Sequence, residues 1–81
     1  MDNAEIAAEV VAIVRKTFGA PDAEVTRQTQ STDVDGWDSL SHATLLIMIE
    51  RRFGIAITEG ESNELANVGD LIDLIQQKVT A

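Results

Sequence analysis

Residues 36–42 read G-W-D-S-L-S-H, and three of their side chains could do chemistry. Ser39 brings a hydroxyl, Asp38 a carboxylate, and His42, the one histidine of the chain, an imidazole. On a helix, Ser39 and His42 stand at i and i+3 and can meet. A working serine nucleophile also needs an oriented base, an oxyanion hole and a substrate cleft. Those cannot be assembled from the rest of this short chain, so no residue is assigned a catalytic role, and His42 is expected at the surface. A metal loop is the next option. Asp33, Asp35 and Gly36 fall on ligand and turn positions of a calcium-binding EF-hand loop. Ser31 stands where its first Asp belongs, however, and His42 where its bidentate Glu belongs. No metal site is assigned.

Two readings of Ser39 remain. Asp38 and Ser39 are both good helix caps, so the stretch can be purely structural. Alternatively, something is attached there. A helix N-terminus carries free N–H groups and a positive dipole end, which favour a phosphate, and a first-turn serine is open to a modifying enzyme.

The chain has 81 residues, enough for one domain over residues 1–81. Hydrophobic content is 44% and there is no cysteine, so a packed core is expected without disulfides or thiol ligands. Fourteen acidic residues oppose six basic ones, for a net charge of -8. Nucleic acid and anionic membranes are disfavoured as partners on that charge, and basic proteins are favoured. No stretch reaches the roughly 18 apolar residues of a membrane span, and the N-terminus lacks a basic secretory start. A cytoplasmic protein is expected.

The apolar spacing gives helices. Ile6, Val10, Ile13 and Val14 share one face of a first helix, capped by Asp2, with Asn3 as a rival cap, and ended by Gly19 and Pro21. Residues 19–37 form a long polar loop with Val25 as its apolar anchor; a loop of that length is usually functional or disordered. A second helix starts at Asp38 and Ser39, with Leu40, Ala43, Leu46, Ile47 and Phe53 at helical spacing, Leu46 expected in the core on the face it shares with Phe53, and Gly54 stops it. The run Leu45–Ile49 is apolar on every side. Such a helix is either central in the core or shows a second apolar face to a partner. A short helix is expected over about residues 59–66. A last helix begins at Asn67 or Gly69, with Val68, Leu71, Ile72, Leu74, Ile75 and Val79 as its stripe. The fold class is all-α: a four-helix bundle of three main helices and one short one, with a long loop between the first two.

The whole chain resembles the acyl carrier protein family. The likeness rests on Asp38-Ser39-Leu40 preceded by Gly36, on the following L-L-I-M-I-E-R-R-F-G-I, and on the order of helices and loop. It implies that Ser39 carries a covalent 4′-phosphopantetheine, placed there by a phosphopantetheinyl transferase that brings its own Mg²⁺. By the same likeness Asp38 helps position that enzyme's metal–nucleotide complex, and Leu40 is part of the docking surface. Acyl-loading, chain-modifying and acyl-transferring enzymes would be the other partners of a free-standing, monomeric carrier. The cargo would ride as a thioester on the arm, folding back among residues such as Leu46, Ile57, Leu65 and Leu71. An aminoacyl or peptidyl carrier would share the serine and the fold. An unmodified helical interaction module is the alternative of another class.

The chain also departs from the family's pattern. Carriers of fatty-acid synthesis usually have an acidic residue after D-S-L and several carboxylates outward on the second helix. Ser41, His42 and Thr44 stand here instead, with Arg51 and Arg52 later. A partner surface is therefore expected from Leu40, Ala43 and Ile47, with charge supplied by Asp33, Asp35, Glu59, Glu61 and Glu64. That points to a specialised fatty-acid, polyketide or related pathway.

Overall fold

The structure, a computed structural model, describes residues 2–80, so Met1 and Ala81 of the expected 1–81 domain lie outside the described residues. Four α-helices follow one another: α1 (Asn3–Thr17), α2 (Ser39–Phe53), α3 (Glu59–Asn63) and α4 (Val68–Thr80). A 3₁₀ turn, Ser31–Asp33, interrupts the long loop. Among the described residues no helix is long and apolar enough to cross a membrane.

Each helix starts where its sequence offers a cap. The Asp2 carboxylate accepts the Glu5 N–H at 2.8 Å, and Arg15 and Lys16 lie in the last turn of α1, where the dipole favours cations. Thr58 caps α3 through the Glu61 N–H. Asn67 Oδ1 accepts the Asp70 N–H at 2.9 Å at the start of α4, which decides between Asn67 and Gly69. The short helix stops at Asn63, earlier than the spacing suggests.

The core is a seam of aliphatic side chains with α1 in the middle, packed against both α2 and α4. α1 supplies Ile6, Val10, Ile13 and Val14, and α4 supplies Val68, Leu71, Ile72 and Ile75, as their periodicity predicts. α2 differs from expectation. Its buried side chains are Leu45 and Ile49, both fully enclosed, whereas Leu46 is only half-buried. The five-residue apolar run leaves the rotational phase of α2 undetermined by pattern alone, and packing against α1 selects the Leu45 face. Ile47 is 48% exposed and lies outside the core.

The long loop is laced to the N-terminus of α4. The Val68 N–H donates to the Thr29 carbonyl at 2.9 Å and the Gly69 N–H to the Arg27 carbonyl at 2.8 Å. These are N–H groups that a helix start leaves unpaired. Gly69 is required by the approach, because a Cβ there would lie 2.9 Å from the Arg27 carbonyl oxygen. Val25 is therefore not the only anchor: it is half-buried, Thr29 and Val34 are buried, and Trp37 packs against the core. An ion pair from Arg27 to Asp73 at 2.7 Å lies across the same junction.

The two faces of α2 should separate in denaturation. Ile49→Ala is expected to lose about 2–5 kcal/mol through the cavity it leaves. Ile47→Ala should stay within about 0.5 kcal/mol of wild type, as exposed positions do. Urea midpoints of the two variants check this, and equal losses would contradict the assigned face.

Candidate functional site

Ser39 is the first residue of α2, and it is exposed. It is not the cap. Asp38 fills that role: its Oδ1 accepts the Ser41 N–H at 2.9 Å, and Ser41 Oγ accepts the Asp38 N–H in return at 2.9 Å. Ser41 Oγ then donates to the Gly36 carbonyl at 2.7 Å, closing the turn. Gly36 has φ +85, a left-handed conformation that other residues adopt at a cost, and this turn delivers the chain into the helix. With capping given to Asp38 and Ser41, the Ser39 hydroxyl is free for chemistry. The first turn of α2 holds no acidic residue of its own, and the carboxylate at this helix end is that of the cap, Asp38.

Trp37 and His42 define the site more than the spacing indicated. The Trp37 ring is half-buried and stacks on Phe18 with centroids 5.0 Å apart. Its Nε1–H donates to His42 Nδ1 at 3.0 Å. His42 Nε2 lies 3.0 Å from Ser62 Oγ, across the gap to α3. His42 is therefore half-buried and bonded on both nitrogens, where the sequence suggested a surface residue. The five-residue step from Trp37 to His42 is not a helical pair spacing, and Ser62 is distant in sequence, so no local pattern marks this relay.

A cleft of about 400 Å³ opens beside Ser39, between the loop, the start of α2, α3 and the start of α4. Trp37, Leu65 and Leu71 give it apolar surface, and Ser31, Asp38 and Ser62 give it polar surface. Of the residues expected around an acyl chain, Leu65 and Leu71 line this cleft, whereas Leu46 and Ile57 are not part of its wall.

The expected docking residues fall in two groups. Leu40 is 79% exposed and Ile47 48%, and Ala43 is exposed on the same helix. Asp35, Glu59 and Glu64 are exposed. Asp33 turns its carboxylate back to accept the Gln30 N–H at 2.8 Å. Glu61 is committed inside the fold, accepting the Thr58 N–H at 2.9 Å and pairing with Lys78 at 3.0 Å. Arg52 is likewise engaged, in a two-point pair with Glu9 at 3.1 and 2.7 Å, which leaves Arg51 as the unpaired arginine of α2 among the described residues.

An outward hydroxyl at a capped helix start, beside a cleft in a small helical bundle, makes a scaffold for a covalently held group. Residues 8–75 match the family model described as the phosphopantetheine attachment site. The chain is 31% identical over 81 residues to the acyl carrier protein of Guillardia theta, covering 100% of both chains. It is 33% identical to acyl carrier protein MbtL of Mycobacterium sp. (strain MCS), covering 96% of this chain and 88% of that one. The solution structure of a holo acyl carrier protein from Geobacter metallireducens superposes with a TM-score of 0.86 at 38% identity, over 91% of this chain and 85% of that one. The chain belongs to the acyl carrier proteins, the family with a phosphopantetheine prosthetic group. The residues present suit that group: an exposed hydroxyl at a helix start and, beside it, a cleft of ligand size with mixed lining.

Three carboxyls are held below the usual carboxylate range. Asp38 is lowered chiefly by the Ser41 N–H, Glu9 by its bond to Arg52, and Glu61 by the Thr58 N–H and then Lys78. A lowered folded value means that the unfolded chain takes up protons first. The stability these groups add is complete above the ordinary carboxylate range, near pH 4, and drains away as pH falls through the folded values. Asn is also a good cap, so Asp38→Asn should keep α2 while removing one titrating group. Its melting temperature is expected to fall less between pH 7 and pH 3 than that of wild type. Thermal scans at both values test this, and parallel losses would show that Asp38 contributes nothing to the acid response.

Proposed function

We propose that Ser39 Oγ is the attachment atom for 4′-phosphopantetheine and that this protein is a carrier which performs no bond chemistry on its cargo. The observation that carries this is the division of labour at the start of α2. Asp38 and Ser41 satisfy the helix end between them, and the adjacent serine, inside the family-matched segment, is left exposed. In this reading Ser39 Oγ attacks the pantetheine-side phosphorus of coenzyme A and gives its proton to the transferase, while the pyrophosphate P–O bond breaks and adenosine 3′,5′-bisphosphate leaves. Asp38, kept ionised by its hydrogen bonds, would help position the transferase's metal–nucleotide complex. The arm supplies the thiol that this cysteine-free chain lacks, and acyl groups ride on it as thioesters.

The partner enzymes meet the exposed face of α2. Leu40, Ala43 and Ile47 form an apolar contact, and Asp35, Glu59 and Glu64 supply charge around it, with Asp33 a weaker contributor because its carboxylate is engaged. The outward positions Thr44 and Arg51 are not acidic, which points away from partners that read a carboxylate-rich helix. The protein acts in the cytoplasm as a single domain, and a specialised acyl pathway fits this surface.

Ser39→Ala should gain no mass on incubation with coenzyme A and a phosphopantetheinyl transferase, while its circular dichroism stays that of a folded helical protein. Wild type should gain the mass of one arm. A modified Ala variant would move the site elsewhere, and an unmodified wild type would favour an unmodified interaction module.

Ile47→Asp tests the docking face. The side chain is outside the core, so the variant should fold, yet it places a charge in a dry contact and should slow acyl transfer to or from the cognate enzyme by about tenfold or more. Transfer at the wild-type rate by a folded variant would remove Ile47 from the interface.

A further inference from the structure

One wall of the cleft beside Ser39 is closed by side chains that tie α2 to α3. The indole N–H of Trp37 can only donate, so His42 Nδ1 must be the acceptor in their 3.0 Å contact. A neutral His42 then carries its proton on Nε2, and that N–H donates to Ser62 Oγ at 3.0 Å. The direction of the relay is thus fixed from Trp37 to His42 to Ser62. Ser62 Oγ is an acceptor in it, and the Ser62 O–H is left to donate. Among the described residues no acceptor meets that hydroxyl.

Ser62 is half-buried and lines the cleft together with Leu65 and Leu71. It is also held in place. Thr58 caps α3, and Glu61, one residue earlier, is pinned to Lys78 of α4. A cargo that enters the cleft displaces the solvent water open to this half-buried donor. An alkyl segment that covers the O–H with no oxygen in reach leaves it unmet, which costs more than a hydrogen bond gains. An acyl group with an oxygen near its thioester would replace the water.

We propose that the Trp37–His42–Ser62 relay makes the cleft selective for acyl groups that carry an oxygen acceptor close to the thioester, 3-hydroxyacyl being the simplest, over plain alkyl chains. The selectivity rests on the attachment at Ser39, which brings the cargo to the cleft. It lies on the fixed donor: a site that offers a hydrogen bond discriminates against the analogue lacking the matching group better than an apolar wall discriminates by size.

The test loads wild type and Ser62→Ala with butyryl-coenzyme A and with 3-hydroxybutyryl-coenzyme A through a permissive transferase, with loading confirmed by intact mass. Thioester hydrolysis is followed for each, divided by the rate of the same thioester on free pantetheine. The Trp37 indole N–H resonance is recorded in parallel. In wild type the 3-hydroxybutyryl form should be protected about fivefold more than the butyryl form, the worth of one net hydrogen bond, and it alone should shift the indole resonance. In Ser62→Ala, folded by circular dichroism, the two should be protected equally. Equal protection and an unmoved indole in loaded wild type would overturn the selectivity while leaving attachment intact. A wild type that gains no mass would overturn the attachment, and the selectivity with it.

Discussion

Two backbone hydrogen bonds, from Val68 and Gly69 of α4 to the carbonyls of Thr29 and Arg27, organise this molecule. They satisfy a helix start that would otherwise face solvent, and they fix the middle of a loop with little apolar surface of its own. Everything downstream inherits that fixation: buried Thr29 and Val34, the 3₁₀ turn between them, the Gly36 turn, and the first residue of α2. The attachment serine proposed here is thus positioned from the far helix through the loop.

Trp37 is where that loop meets the second helix. Its ring lies between Phe18, at the end of α1, and His42 on α2, so one residue couples three parts of the chain. The same side chain sets the His42 tautomer, and through it the contact with Ser62 on α3. α3 contributes no buried side chain of its own. It is held by polar links, the Thr58 cap, the Glu61–Lys78 pair and the His42 bridge, while the Glu50 carboxylate accepts the Ile57 N–H just before it. A helix held mainly by polar contacts is the element that a bound cargo can adjust most readily.

α2 divides its apolar residues between two tasks. Leu45 and Ile49 complete the core against α1, and Leu40 and Ile47 stay exposed on a helix with few charges. Acidity is placed elsewhere, in the loop and near α3, and part of it is consumed by the fold, as Asp33 and Glu61 show. The carboxylates left free to meet another protein are therefore fewer than the acidic residues of the sequence.

The helices were legible because their signals are local. Caps at Asp2, Asp38 and Asn67 and the stripes of α1 and α4 act within a few residues, and the order of elements followed from them. The Asp38-Ser39-Leu40 tripeptide, with its surroundings, was enough to point to the family. Three things were decided only in three dimensions. The phase of α2 was one, because a run that is apolar all round defines no face until α1 packs against it. The anchoring of the loop was another, since backbone carbonyls such as those of Arg27 and Thr29 leave no mark on side-chain patterns. The third was the role of His42. A lone histidine near a helix start looks like a surface residue until Trp37 from the loop and Ser62 from α3 arrive on opposite sides of its ring. Hydrogen bonds between residues remote in sequence depend on how the chain folds back, and helix propensity and apolar spacing carry no information about that.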